Sequence, residues 1–186
     1  MDATRILEVD HREVEDLFAK IEKADGVKRQ PFIDKLVNSL RAHMELEEAV
    51  LYPKMHSVTG EEAVQEAKTE HELARSMLDE MVRLAPDEPG FGAALDSVKA
   101  GISHHVKEEE EEVFPRLRKN GASVLEEIAT PFMKKRMDLG MPMLAVALAA
   151  ASTKDELLSE AKSAAVEGAS SMTKEQLVDA LSAKMS

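Results

Sequence analysis

The 186-residue sequence contains no cysteine and no tryptophan. Without cysteine the chain cannot form disulfides, thiolate zinc sites, Cys-ligated iron–sulfur clusters or a thiol nucleophile. Aromatic residues are also scarce, at 3% of the chain, and Tyr52 is the single tyrosine. Basic residues are outnumbered, with 24 Lys and Arg against 36 Asp and Glu and a formal net charge of -12. Because nucleic-acid affinity comes mainly from clustered Lys and Arg, this balance argues against a nucleic-acid partner.

Long apolar runs are lacking as well. The longest extends from Met141 to Ala151, too short to span a bilayer. The stretch from Met1 to Asp16 is charged throughout and has no apolar segment typical of a signal peptide. We therefore expect a cytoplasmic protein without a membrane partner. The abundant residues are Ala, Leu, Glu, Lys and Met, which are strong helix formers, so the sequence predicts an all-α protein.

Four amphipathic segments with apolar residues at helical spacing fill the first two thirds of the chain. They extend from Ile6 to Asp25, from Pro31 to Pro53, from Thr59 to Pro86 and from Pro89 to Asn120. Pro53 is expected to end the second helix, and Thr59-Gly60-Glu61-Glu62 predicts a capping box that opens the third. Short connections favour an antiparallel, up-down-up-down four-helix bundle.

The sequence changes in character after Gly121. We predict a bundle over residues 1–120, a connector with a packing helix over 121–152 and a small helical module over 153–186. Two capping-box patterns, Thr153-Lys-Asp-Glu156 and Thr173-Lys-Glu-Gln176, open short helices in the last segment.

The two halves of the predicted bundle repeat each other. Residues 43–53 (HMELEEAVLYP) align without gaps on residues 105–115 (HVKEEEEEVFP), an offset of 62. Asp10-His11 matches Glu70-His71 at an offset of 60. Duplication of a helical hairpin explains both offsets.

Six polar residues lie within the apolar stripes of these helices, where they face the bundle axis. They are His11, His43, Glu47, His71, His105 and Glu109. With a rise of about 1.5 Å per residue, the antiparallel helices bring all six to one level of the core. Buried carboxylates need compensation, and no Lys or Arg occupies the stripes at that level. A metal-free polar network is the alternative, but imidazole and carboxylate are sound ligands for iron, manganese and zinc. We therefore predict a two-metal site in which both glutamates bridge.

The pattern of these residues, with Leu51-Tyr52-Pro53 and Val113-Phe114-Pro115 after the two His-x-x-x-Glu motifs, resembles the hemerythrin-like (HHE cation-binding) family. The resemblance covers residues 1 to about 120. It implies two iron ions with an oxo or hydroxo bridge and bridging glutamates, with manganese or zinc as weaker candidates. Oxygen-carrying members have a further histidine where this chain has Arg75. That departure leaves a position for solvent or substrate and argues against reversible oxygen carriage.

The other polar residues near the motifs are interpreted separately. Tyr52 aligns with Phe114, which favours a packing role, yet its hydroxyl could be an extra ligand or contact the ligands. His104 lies outside the apolar stripe of its helix and His56 lies at a helix end, so both are expected at the surface. Within Glu108–Glu112 only Glu109 is expected to point inward.

The resemblance and the open position favour a di-iron protein that reacts with a small molecule: hydrogen peroxide, oxygen or nitric oxide. We predict peroxide decomposition in a catalase-like cycle, as in oxidative-stress defence. The alternatives are a sensor of oxygen, nitric oxide or iron, and iron storage or delivery. Residues 153–186 resemble the small helical modules of the Rho N-terminal region and SAP-like proteins. Because this segment is acidic and has no aromatic residue, a docking or dimerising role is favoured over nucleic-acid binding.

Overall fold

The structure is a computed structural model that describes residues 2–141 and 152–183. All regular structure within these ranges is helical, which confirms the predicted all-α fold. The α-helices are α1 (Ala3–Lys23), α2 (Gln30–Leu46), α3 (Tyr52–Thr59), α4 (Glu61–Met81), α5 (Phe91–Glu108), α6 (Phe114–Asn120), α7 (Ala122–Asp138), α8 (Lys154–Ser163) and α9 (Lys174–Ala183). No helix in these ranges is long and apolar enough to cross a membrane. Nearly all of the apolar run from Met141 to Ala151 lies outside the described residues.

The bundle has two apolar cores, and a polar layer separates them. One core begins with Ile6 and Leu7 of α1 and includes Leu51 and Phe114. The other is built around Leu17, Leu36, Leu78 and Val98. Each long helix passes from one core to the other at the level of its predicted metal ligands. The helical repeat thus stacks apolar side chains above and below a single band of histidines and glutamates.

Two π-helical turns shape the long helices beside this band. One spans Glu47–Leu51 and joins α2 to α3, and the other spans Glu109–Val113 and joins α5 to α6. Each turn ends two residues before a proline, Pro53 or Pro115. The prediction that the second helix ends at Pro53 was therefore wrong, because the wider turn accommodates the ring and missing N–H and the helix continues to Thr59.

The start of the third bundle helix also differs from the prediction. Thr59 is the last residue of α3, and its hydroxyl donates to the Met55 carbonyl, 3.2 Å away. Gly60 precedes α4 with a φ of 95°, a conformation that favours glycine. The expected Thr59 capping box is therefore absent because α3 uses this threonine itself.

The segment after Gly121 packs on one end of the bundle. Helix α7 contributes Leu125, Ile128 and Phe132 to the core that contains Ile6, and α8 and α9 add Leu157 and Leu177. The hydrogen bonds of both C-terminal capping boxes form, Thr153 with Glu156 and Thr173 with Gln176. The division into three domains and the Rho- and SAP-like resemblance remain predictions.

Candidate metal centre

The polar layer brings the six residues predicted as ligands into contact. All six are buried, with relative exposures between 0% and 5%. The Nε2 atoms of His11 and His43 lie 3.2 Å apart, and those of His71 and His105 lie 3.1 Å apart. Each hairpin therefore presents one pair of imidazole nitrogens.

The two glutamates lie between these histidine pairs. Glu47 Oε2 is 3.4 Å from His43 Nε2 and 3.3 Å from His71 Nε2. Glu109 Oε2 is 3.4 Å from His11 Nε2 and 3.6 Å from His105 Nε2. Two groups of candidate ligand atoms result, one of His11, His43, Glu47 and Glu109 and one of Glu47, His71 and His105, and Glu47 belongs to both.

The polar atoms at the middle of this layer fit a bound cation. Both carboxylate oxygens of Glu47 and Oε2 of Glu109 are buried, with no hydrogen-bond donor among the described residues. A buried acceptor without a donor is unfavourable, and a buried carboxylate more so. A cation between the imidazole nitrogens and these oxygens would satisfy them all. We therefore interpret the layer as a candidate centre for two metal ions.

Three of the four histidines hydrogen-bond a carboxylate through the ring nitrogen that faces away from the centre. The Nδ1 atoms of His11, His71 and His105 lie 2.8 to 2.9 Å from Glu110, Glu48 and Glu70, respectively. Such a bond places the proton on Nδ1, turns the Nε2 lone pair towards the centre and raises the basicity of the ligand. These outer carboxylates thus orient the donors.

The fourth histidine, His43, has no such carboxylate partner within the described ranges. His43 Nδ1 lies 3.8 Å from Asp10 Oδ2, too far for a hydrogen bond. Asp10 instead binds Arg136 of α7, with Nη1–Oδ2 and Nη2–Oδ1 distances of 2.5 and 2.6 Å. Both Asp10 and Arg136 are buried, so α7 reaches the edge of the centre with a charged side chain.

The electrostatics of the metal-free layer follow from its buried carboxylates. Burial alone would lower the pKa of His11, but its contact with Glu109, its hydrogen bond to Glu110 and the nearby charges raise it to about 9. Burial would likewise raise the pKa of Glu47, yet the charge of His43 and contacts with His105 and His71 hold it well below 4.5. Without a metal, protonated imidazoles therefore compensate the carboxylates, and a metal cation would replace those protons.

Tyr52 lies inside the layer although an ideal α-helix would turn it away from Glu47. The π-helical turn adds a residue between them and rotates the following helix. As a result the Tyr52 side chain is buried, and its hydroxyl oxygen is 3.0 Å from His71 Nε2. Burial and the charges of Glu47 and Glu109 raise the pKa of Tyr52 well above 10, so without a metal the phenol keeps its proton.

The remaining polar residues near the motifs lie outside the layer. Arg75 is partly exposed and binds Glu48, with an Nη1–Oε1 distance of 2.8 Å. His104 has 65% of its side chain exposed and lies near Glu70, and His56 is exposed.

Sequence reasoning missed the four outer carboxylates: Asp10, Glu48, Glu70 and Glu110. The expectation that only Glu109 turns inward within the acidic run was too narrow, because Glu110 is about one fifth exposed and accepts from His11. The repeat contained the missing signal. Asp10 and Glu70 each precede the first histidine of a hairpin, and Glu48 and Glu110 each follow a central glutamate.

Two curated proteins are similar to this chain in sequence. The chain is 31% identical over 134 residues to a DNA nickase of Nostoc sp. (71% of this chain, 38% of that protein). It is 30% identical over 115 residues to an uncharacterized hemerythrin-like protein of Schizosaccharomyces pombe (60% of this chain, 57% of that protein). The chain thus spans only 38% and 57% of these curated relatives.

A solved structure shares the fold. It is that of a hemerythrin HHE cation-binding domain-containing protein from Mycobacterium kansasii, with a TM-score of 0.61 and 20% identity. The match covers 97% of this chain and 99% of that one. The family model described as the hemerythrin HHE cation-binding domain matches residues 2–117, which include all six candidate ligands. Together with the buried histidine and glutamate layer, this match shows that the chain belongs to the hemerythrin HHE cation-binding family.

Proposed function

We propose that this chain binds two iron ions in the polar layer and decomposes hydrogen peroxide. His11, His43, His71 and His105 would be terminal ligands, and Glu47 and Glu109 would bridge. The observation that supports iron and an open centre is the donor set. Each group offers two histidines and one or two carboxylates, and sites with two histidines and one carboxylate are typical of non-haem iron with free coordination positions.

When bound, a pair of iron ions supplies the two-electron redox capacity for the reaction 2 H₂O₂ → 2 H₂O + O₂. The protein residues have supporting roles that their contacts define. Glu110, Glu48 and Glu70 orient three imidazoles, and the carboxylates of Glu47 and Glu109 balance positive charge. The apolar cores on either side limit access of bulk water.

Tyr52 provides the one phenolic hydroxyl of the chain, and it lies inside the layer. A phenol that keeps its proton can donate a hydrogen bond to a substrate oxygen and pass a proton as the O–O bond breaks. Since Phe114 occupies the equivalent position of the second hairpin, this role belongs to one side of the centre.

Oxygen release from peroxide tests the proposed activity. Iron-loaded wild-type protein is expected to evolve oxygen at a rate well above that of the same concentration of free iron, measured with an oxygen electrode. His71→Ala is expected to lose this activity and bound iron because it removes a ligand. His104→Ala, an exposed histidine on the neighbouring helix, is the matched control and should retain both. Wild-type activity no higher than that of free iron would exclude the proposal.

The same preparation separates this function from the alternatives. A reversible oxygen or nitric oxide spectrum without peroxide turnover would favour a sensor. Iron that exchanges readily with a chelator, again without turnover, would favour storage or delivery.

Tyr52→Phe is expected to retain both iron ions and to lower kcat for peroxide about 10- to 100-fold, because it removes a proton donor but not a ligand. Oxygen evolution gives kcat, and iron analysis and the optical spectrum report the bound metal. The melting temperature is a check on packing. A visible phenolate-to-iron band in the wild type that disappears in Tyr52→Phe would make Tyr52 a ligand instead. Unchanged kcat would show that the hydroxyl only packs.

A further inference from the structure

The four outer carboxylates form two pairs related by the repeat. In one pair the two members differ in their distance from the histidine that they face. Glu48 and Glu110 are equivalent, and each accepts a hydrogen bond from the first histidine of the other hairpin. Asp10 and Glu70 are also equivalent, and each faces the second histidine of its own hairpin. Glu70 lies 2.8 Å from His105 Nδ1, whereas Asp10 Oδ2 lies 3.8 Å from His43 Nδ1.

The His43 Nδ1 atom is buried and has no hydrogen-bond partner among the described residues. An imidazole that donates to a carboxylate is a better metal ligand, and loss of such a partner typically weakens metal binding about 10- to 100-fold. His43 lacks this support, although a carboxylate lies within one ångström of the required distance.

Asp10 binds Arg136 instead of His43. The two terminal nitrogens of Arg136 bind the two oxygens of Asp10 in a parallel pair of short contacts. This planar, two-point geometry is the strongest form of carboxylate binding by a protein side chain, and it fixes both position and angle. Arg136 is 1% exposed and Asp10 is 4% exposed, so water does not weaken the pair. No arginine of the described residues contacts Glu70 in this way.

Arg136 comes from α7, which follows the segment that the family model matches. The apolar side chains of Leu125, Ile128 and Phe132 anchor α7 on the bundle. Arg136 lies one helical turn beyond Phe132, on the same side of α7. The sequence after the bundle therefore supplies the buried residue that contacts the edge of the metal layer.

We propose that Arg136 is a positioning residue that keeps Asp10 from His43 and so makes the metal position of His11 and His43 the weaker of the two. This inference rests on the ligand assignment of the proposed function. The His71–His105 position has carboxylate support on both imidazoles, whereas the His11–His43 position has it on one. Two hairpins of common origin thus form two unequal positions, and the difference comes from α7.

Release of metal measures the inequality without reference to activity. Protein loaded with two ferrous ions under anaerobic conditions is mixed with a coloured ferrous chelator, and absorbance is followed with time. The wild type is expected to release one ion about tenfold or more faster than the other. In Arg136→Gln, Asp10 is free to accept a hydrogen bond from His43. The fast release phase, from the His11–His43 position, should then slow and approach the rate of the slow phase.

Matched variants separate this effect from a general loss of packing. Arg136→Lys retains a charge beside Asp10 but loses the two-point geometry, and it should slow the fast phase even if Arg136→Gln fails to fold. Lys135→Gln, on the same helix with an exposed ion pair to Glu45, should release iron as the wild type does. Glu70→Gln should instead accelerate the slow phase, because it removes support from His105.

Several results would overturn the inference. These are a single release phase for both ions in the wild type, or two phases that remain unchanged in both Arg136 variants. If Asp10→Glu merges the phases while the Arg136 variants do not, the length of the Asp10 side chain sets its position. Fewer than two ions bound by the wild type would instead contradict the proposed di-iron function itself.

Discussion

Glu47→Gln is expected to reduce bound iron from two ions per chain to one or none and to lower oxygen evolution from peroxide by about 100-fold or more. Glu47 is shared by both groups of candidate ligand atoms, and its two oxygens are buried without a hydrogen-bond donor in the described part of the chain. The amide keeps the size of the side chain but removes the negative charge that would balance two cations. Metal analysis and an oxygen electrode measure the two effects.

Glu45→Gln is the control for this variant. Glu45 lies two residues earlier in the same helix, is exposed and pairs with Lys135 at the surface. Its replacement should leave iron content and turnover unchanged. Two tightly bound ions in Glu47→Gln would contradict a bridging role for Glu47.

Metal affinity is expected to increase about tenfold or more for each pH unit between pH 6.5 and 8.5. The pKa of His11 in the metal-free protein is raised to about 9, so below that pH His11 carries a proton that a metal ion must displace. Affinity therefore rises with pH and levels off above about 9. The raised pKa of His105 acts in the same direction and makes the dependence steeper. Titration with cobalt(II), followed by its visible spectrum, gives the dissociation constant at each pH.

Glu110→Gln tests the cause of this dependence. The hydrogen bond that Glu110 accepts from His11 helps to raise the pKa of His11. Its loss should therefore lower the pH at which metal affinity levels off. Glu111→Gln, an exposed neighbour, should leave the curve unchanged. An affinity that is constant between pH 6.5 and 8.5 would show that His11 is not protonated in the metal-free protein.

The all-helical fold could be predicted from the sequence because its helices have strong apolar periodicity. The end of the second helix could not, since a proline such as Pro53 ordinarily ends or kinks a helix, whereas the fourth segment was already predicted to continue past Pro115 to Asn120. Here a π-helical turn before each proline lets the helix continue, and nothing in the apolar spacing shows that extra residue. The position of Tyr52 was uncertain for the same reason, because one added residue rotates everything that follows.

The convergence of His11, His43, Glu47, His71, His105 and Glu109 was also predictable, because polar residues on a buried stripe have few possible partners. The carboxylates behind them were not recognised, because each adjoins a ligand in sequence and looks like part of a solvated face. The position of Arg136 could not be predicted from the apolar periodicity of the sequence. Its contact with Asp10 joins residues 126 positions apart and depends on how α7 crosses the bundle.

The duplicated hairpin gives this protein an internal reference. Position 43 can be compared with 105, 48 with 110 and 52 with 114 within a single molecule, under identical solvent and temperature. Exchange of residues between such pairs separates what a side chain does from where it lies. Functional divergence of the two halves can therefore be studied in one chain, without a family of homologues as the comparison.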